Sequence, residues 1–204
     1  MRTNLALWVA LALAGTGTAA AQEHPLMQPN RDVVIDYRVT GTHEGAQHVQ
    51  AVRMYFTGNG ARFRVESDGQ PGYAIMNRDT NRTIVVMPDQ RIYMEMAFDS
   101  KQMMDFDSKE GNFTRRGTDM VAGLRCTVYY GKTPRRSGEV CLTDDGVLLR
   151  AKSDTDNEGG SLQATKVTYG AQPANLFSPP PDFQKMDMAH MPMGPGGPPG
   201  RPPR

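Results

Sequence analysis

Apolar and polar residues alternate with a period of two through most of this chain. RDVVIDYRVTG sets Val33, Ile35, Tyr37 and Val39 against Val34, Asp36 and Arg38. HVQAVRMYFTGNGARFRVES holds two such runs, Val52, Met54 and Phe56, then Phe63 and Val65. Between them GNG at 58–60 is a hairpin turn signal. GYAIMNRDTNRTIVVMP repeats the device, with Tyr73 to Met76 and Ile84 to Met87 around the polar turn RDTN. A turn at Pro88–Gln90 then leads into Ile92 to Met96. Tight turns rather than crossover helices join these runs, which predicts an antiparallel meander with one apolar face.

Residues 97–111, AFDSKQMMDFDSKEG, break the pattern. Phe98, Met103, Met104 and Phe106 do not alternate, and Asp99 or Ser100 can cap a short helix. This stretch reads as a short helical or irregular lid against the apolar face. Strand patterning resumes at Phe113 and passes through LRCTVYYG and EVCLT. It turns at Asp145–Gly146, continues in VLLRAKS and SLQATKVTY, and leaves through NLFSPPPDF. The expected class is mainly β: a single curved antiparallel sheet or incomplete barrel with a short helical lid.

The first residues change the picture of compartment. One arginine, an apolar run from Leu5 to Ala14 and small residues with Ala19 and Ala21 form a secretory leader with an A-x-A site. The run is too short for a spanning helix, which needs about 20 residues. The organisation expected is a signal peptide at 1–21, an N-terminal linker at 22–30, a β domain at 31–183 and a disordered tail at 184–204. The product is expected to be periplasmic, with no transmembrane segment. Loss of the leader removes Arg2 and leaves 22 basic against 22 acidic residues. A neutral chain offers no electrostatic attraction for nucleic acid or an anionic membrane surface.

An oxidising compartment decides how Cys126 and Cys141 are read. With Cys126 starting one strand of a hairpin and Cys141 ending its partner, the two would stand directly opposed, with Gly131 facing Arg136. Opposed residues of that kind have Cα atoms about 4.5 Å apart, within disulfide range. No C-x-x-C redox motif is present. A zinc site would lack two ligands, since His24, His43, His48 and His190 are not spaced to supply them. The pair is expected to be a structural disulfide.

No catalytic constellation accompanies it. G-x-S-x-G, H-E-x-x-H and a phosphate-cradling glycine loop are absent. The acidic DTDNEGG at 154–160 lacks the spacing of an EF-hand loop. A non-enzymatic protein is expected.

The leader, the interrupted meander, VAGLRCTVYYG, CLTDDGVLLRAKS and the closing LFSPPPDF together resemble the periplasmic lipoprotein-carrier (LolA/LolB-like) superfamily, in a branch of undetermined function. The likeness covers about residues 31–183. It implies an incomplete, strongly curved barrel with a helical lid over an apolar cavity that holds acyl chains of lipids or lipoproteins. An outer-envelope protein partner is implied with it.

On that reading the walls of a ligand site are Val52, Met54, Phe56, Phe63, Ile84, Val86, Ile92 and Met94, and its lid Met103, Met104 and Phe106. The same side chains can also simply fill a core. Methionines on the lid suit an adaptable apolar surface. A second candidate chemistry lies in the tail, where Met186, Met188, His190, Met191 and Met193 fall within eight residues. Soft thioethers with an imidazole select copper(I), although a Met- and Pro-rich tract is also an ordinary low-complexity linker. Three functions follow: a soluble carrier of a hydrophobic ligand, a periplasmic copper-handling protein, or an envelope structural protein with a filled core.

Overall fold

The computed structural model describes residues 24–43, 46–97, 111–133, 137–154 and 160–187. Among them, alternation and turns give twelve strands. These are β1 (Val33–His43), β2 (Ala46–Phe56), β3 (Arg62–Ser67), β4 (Tyr73–Asn77), β5 (Arg82–Met87) and β6 (Ile92–Ala97). After residues 98–111 come β7 (Asn112–Val121), β8 (Leu124–Lys132), β9 (Ser137–Leu142), β10 (Leu148–Ser153), β11 (Ser161–Tyr169) and β12 (Gln184–Met186). They form one open sheet in the order β12-β6-β5-β4-β3-β2-β1-β11-β10-β9-β8-β7, not closed into a barrel. All neighbouring pairs are antiparallel except β12, which adds to β6 in parallel. The helical lid expected at 97–111 lies outside the described residues from 98 to 110.

The turns follow the local chemistry. Gly60 takes φ +64° in the β2–β3 turn, where the Asn59 and Thr57 side chains accept the amides of Ala61 and Arg62. Asn81 closes the β4–β5 turn at φ 50°, and the Asn77 carboxamide accepts the amide of Thr80. Asn tolerates this left-handed region better than most side chains.

Curvature shows in the main core. Val33, Ile35, Tyr37, Phe56, Phe63 and Met76 from β1–β4 share one buried cluster with Val121, Cys126, Val128, Cys141 and Leu149 from the other arm. Strands so far apart in the order can pool side chains only if the sheet curls. The face of β1–β6 that carries this cluster is called inner below.

The cysteines form a disulfide with Cα atoms 5.4 Å apart, both almost fully buried. Their register differs from direct opposition: Val128 faces Cys141 and Gly131 faces Gly138. The pairing is offset by two residues, so the bridge runs diagonally across the hairpin. A slip of two keeps every side chain on its face, which is why the disulfide survives the different register.

Both termini of the domain pack onto it. Leu26–Asn30, expected as linker, threads between the β2–β3 and β9–β10 turns. A Cβ on Gly146, at φ +85°, would lie 2.0 Å from the Gln28 carbonyl oxygen. The Asn30 amide donates to the Asp145 carbonyl at 3.0 Å. At the other end, a 3₁₀ turn at Ala174–Phe177 buries Phe177 against Ile75 and Val86. The Gln184 amide then donates to the Arg91 carbonyl and starts β12. The sheet therefore runs to Met186, past the expected domain end at 183, because this edge offers unpaired ladder groups to the returning chain.

Candidate functional site

Strand registers align inner-face side chains into transverse rows. One row reads Val167, Ile35, Met54, Val65, Ala74, Val85, Met94 and Met186, each residue opposite the next on the neighbouring strand. No polar residue interrupts it. Eight strands at about 4.8 Å spacing give it a length of about 34 Å along the sheet. Ile35 is buried at the centre of the core, whereas Val65, Ala74 and Val85 are only half-buried. Over them lies an apolar groove of about 310 Å³, bounded also by Tyr73 and Met87.

Towards β1 the inner face is filled. The N-terminal residues Met27, Gln28 and Pro29 sit over Ile35, Tyr37, Met54 and Phe56, and leave a hollow of only about 30 Å³. The Tyr37 hydroxyl donates to the Leu148 carbonyl at 2.8 Å. Burial keeps its phenol protonated far above the usual range. This end of the face is core.

The wall residues named from the sequence divide accordingly. Val52, Met54, Phe56, Phe63, Ile92 and Met94 share the inner face with the row. Ile84 and Val86 occupy the opposite, outer face of β5, under Phe177 and beside Tyr93. The RTIVVM run is apolar at both parities, so alternation cannot choose between Ile84/Val86 and Val85/Met87. The register Ile75–Ile84 and Ala74–Val85 across the β4–β5 turn makes the choice. None of the wall residues named from the sequence borders the groove itself; Val65, Ala74, Val85 and Met87 are the groove residues that sequence reasoning missed. Counting register outward from the RDTN turn was the available signal. Met103, Met104 and Phe106 lie outside the described residues, as do Met188, His190, Met191 and Met193. Met186 ends the row on β12.

Charge is kept off this lane. Glu95 faces outward, where Arg82 and Lys185 both close on its carboxylate, Lys185 at 2.7 Å. The Lys185 hydrogen bond, with help from Arg82, holds Glu95 below the usual carboxylate range. Arg64 stacks on the Tyr73 ring at 3.5 Å on the same outer face. Among the described residues no group of three His, Cys, Asp or Glu side chains could hold a metal, and no helix is long and apolar enough to cross a membrane.

Residues 39–148 match a family described as a domain of unknown function (DUF4412). The chain belongs to that family. No curated protein matches it. Its fold is similar to an uncharacterized conserved protein from Thermus thermophilus, at 12% identity and a TM-score of 0.52, covering 77% of this chain and 90% of that one. It is also similar to MucB, at 17% identity and a TM-score of 0.50, covering 79% of this chain. The match spans 62% of MucB's length. A LolA superfamily protein from Nitrosomonas europaea is a further neighbour, at 9% identity and a TM-score of 0.42, covering 76% of this chain and 93% of that one.

Proposed function

We propose that the protein is a non-enzymatic periplasmic binder that carries an acyl chain, free or on a lipid or lipoprotein, along the inner-face row of β2–β6. The observation that carries this reading is the unbroken apolar row, half-buried at Val65, Ala74 and Val85, with a groove of about 310 Å³ above it. That volume is at the small end of the usual range for ligand sites. A straight chain of about a dozen methylenes leaving water gains roughly 0.8 kcal/mol per CH₂. Association costs at least about 4 kcal/mol. The remainder corresponds to sub-millimolar binding, tightening with chain length, without any polar contact. Such a carrier needs no catalytic group. The secretory leader supports a periplasmic location, and the resemblance to the lipoprotein carriers is consistent with cargo held on a curved sheet.

Displacement of a fluorescent fatty acid tests the reading. Wild-type protein should bind it saturably, and Ala74→Phe, which fills the groove with apolar volume, should weaken binding at least tenfold. Absence of saturable binding by the wild type refutes the proposal.

A further inference from the structure

The inner-face row changes from open to closed between two neighbouring strands. On β3, Val65 borders the groove of about 310 Å³. On β2, Met54 stands directly opposite Val65 and borders the hollow of about 30 Å³ instead. The side chains around that hollow are apolar apart from Gln28, the Tyr37 hydroxyl and Arg78, whose guanidinium lies over the Phe63 ring at 5.2 Å. Met54 is half-buried, while Ile35, its partner on β1, is fully buried. Among the described residues, one thioether side chain thus separates the space that can take a chain from the space that is almost full.

We propose that Met54 is the end-stop of the acyl site and determines the chain length that binds best. The proposal rests on the carrier reading and adds a specificity residue to it. From Met54 to Met94 the row crosses four strand spacings, about 19 Å, which a straight chain of about 15 carbons spans. The β6–β12 edge lies at the Met94 end and the filled core at the Met54 end, so the head of the ligand faces the edge and its terminal methyl faces Met54. Up to the end-stop, each added methylene leaves water and tightens binding about fourfold. A carbon beyond it finds no volume behind Met54 and stays in water. Affinity therefore rises with chain length and then levels off.

The test is displacement of a fluorescent fatty acid by saturated fatty acids of increasing length, on the full chain and below micelle-forming concentrations. For the wild type, the gain per carbon should end near the length given above. Met54→Ala joins the groove to the hollow and should move that end-point to longer chains by about four carbons, one strand spacing. Met54→Val, a smaller truncation that keeps a strand-forming side chain, should move it the same way by less, and it carries the test if the alanine variant does not fold. Leu26→Ala is the control. That side chain is 47% exposed on the N-terminal segment and does not line the hollow, so the end-point should stay where it is. An end-point unmoved in a folded Met54 variant, moved equally by Leu26→Ala, or absent from the wild-type series would overturn the end-stop while leaving acyl binding intact. Failure of the wild type to bind any chain would instead refute the carrier reading, and the end-stop with it.

Discussion

The two faces of β3–β6 are made by the same strands, and each carries an apolar patch, set among Arg62, Arg64, Glu66, Arg82 and Glu95 on the outer face and free of charged side chains on the inner one, yet the chain treats them differently. The outer face, with Tyr73, Ile75, Ile84, Val86 and Tyr93, is covered by its own C-terminal segment through Leu176, Phe177 and Phe183. Among the described residues, the inner face is covered by Met27–Pro29 towards β1 and is half-open over Val65, Ala74 and Val85. Exposed apolar surface is unfavourable unless something occupies it. The covered face contributes stability, and on the proposed reading the half-open one is left for a ligand. On this account, substitutions on the outer face should act on folding and those on the inner row on binding.

The largest effect should come from the outer cover. Phe177→Ala removes a ring buried against Ile75 and Val86 and should destabilise the domain by about 3–5 kcal/mol, read by denaturant unfolding. An effect below about 1 kcal/mol would mean that the strap is not part of the cooperative fold. Next comes the disulfide in the opposite arm. Replacing Cys126 and Cys141 by Ser should cost about 2–4 kcal/mol while leaving acyl affinity unchanged. A matching loss of affinity would couple the two arms and blur the division of labour between the faces. The smallest effect concerns Glu95 on the outer edge. Its depressed pKa means that ionised Glu95 adds stability above the unfolded value of about 4.5, and that this is lost as pH falls through the lower folded value. Acid unfolding of Glu95→Gln should therefore differ from the wild type by less than about 1 kcal/mol at neutral pH, and the difference should vanish at the acid end of the curve.

Much of this architecture was legible in the sequence, for a physical reason. Strand identity rests on alternation and turn chemistry, both local, so GNG, RDTN and the turn at 145–146 locate hairpins that the structure contains. Register depends on loop geometry and core packing together. The β8–β9 pairing accordingly differs by two residues from direct opposition of the cysteines, although the disulfide itself holds. Face assignment failed where both parities are apolar: Ile84 and Val86 look like cavity walls in RTIVVM, and only the pairing of Ala74 with Val85 shows otherwise. The roles of the two flanks, Leu26–Asn30 against the turns and Gln184–Met186 along β6, are long-range. Pro- and Gly-bearing composition reads there as linker or tail, because nothing local announces a docking partner.

Ile84 and Val85 are adjacent residues that point to opposite faces, and they offer the most direct test of the central claim. Fluorescent fatty acid displacement should be measured for Ile84→Thr and Val85→Thr under conditions where both variants are folded. Each change sets a hydroxyl on one face, Val85→Thr at nearly constant volume and Ile84→Thr with the further loss of a methylene; without a partner the hydroxyl costs about 1–3 kcal/mol in an apolar setting. The account predicts that Val85→Thr weakens acyl binding about tenfold or more, whereas Ile84→Thr lowers unfolding stability and binds like the wild type. Equal affinities in the two variants, or a larger loss of binding in Ile84→Thr, would contradict it.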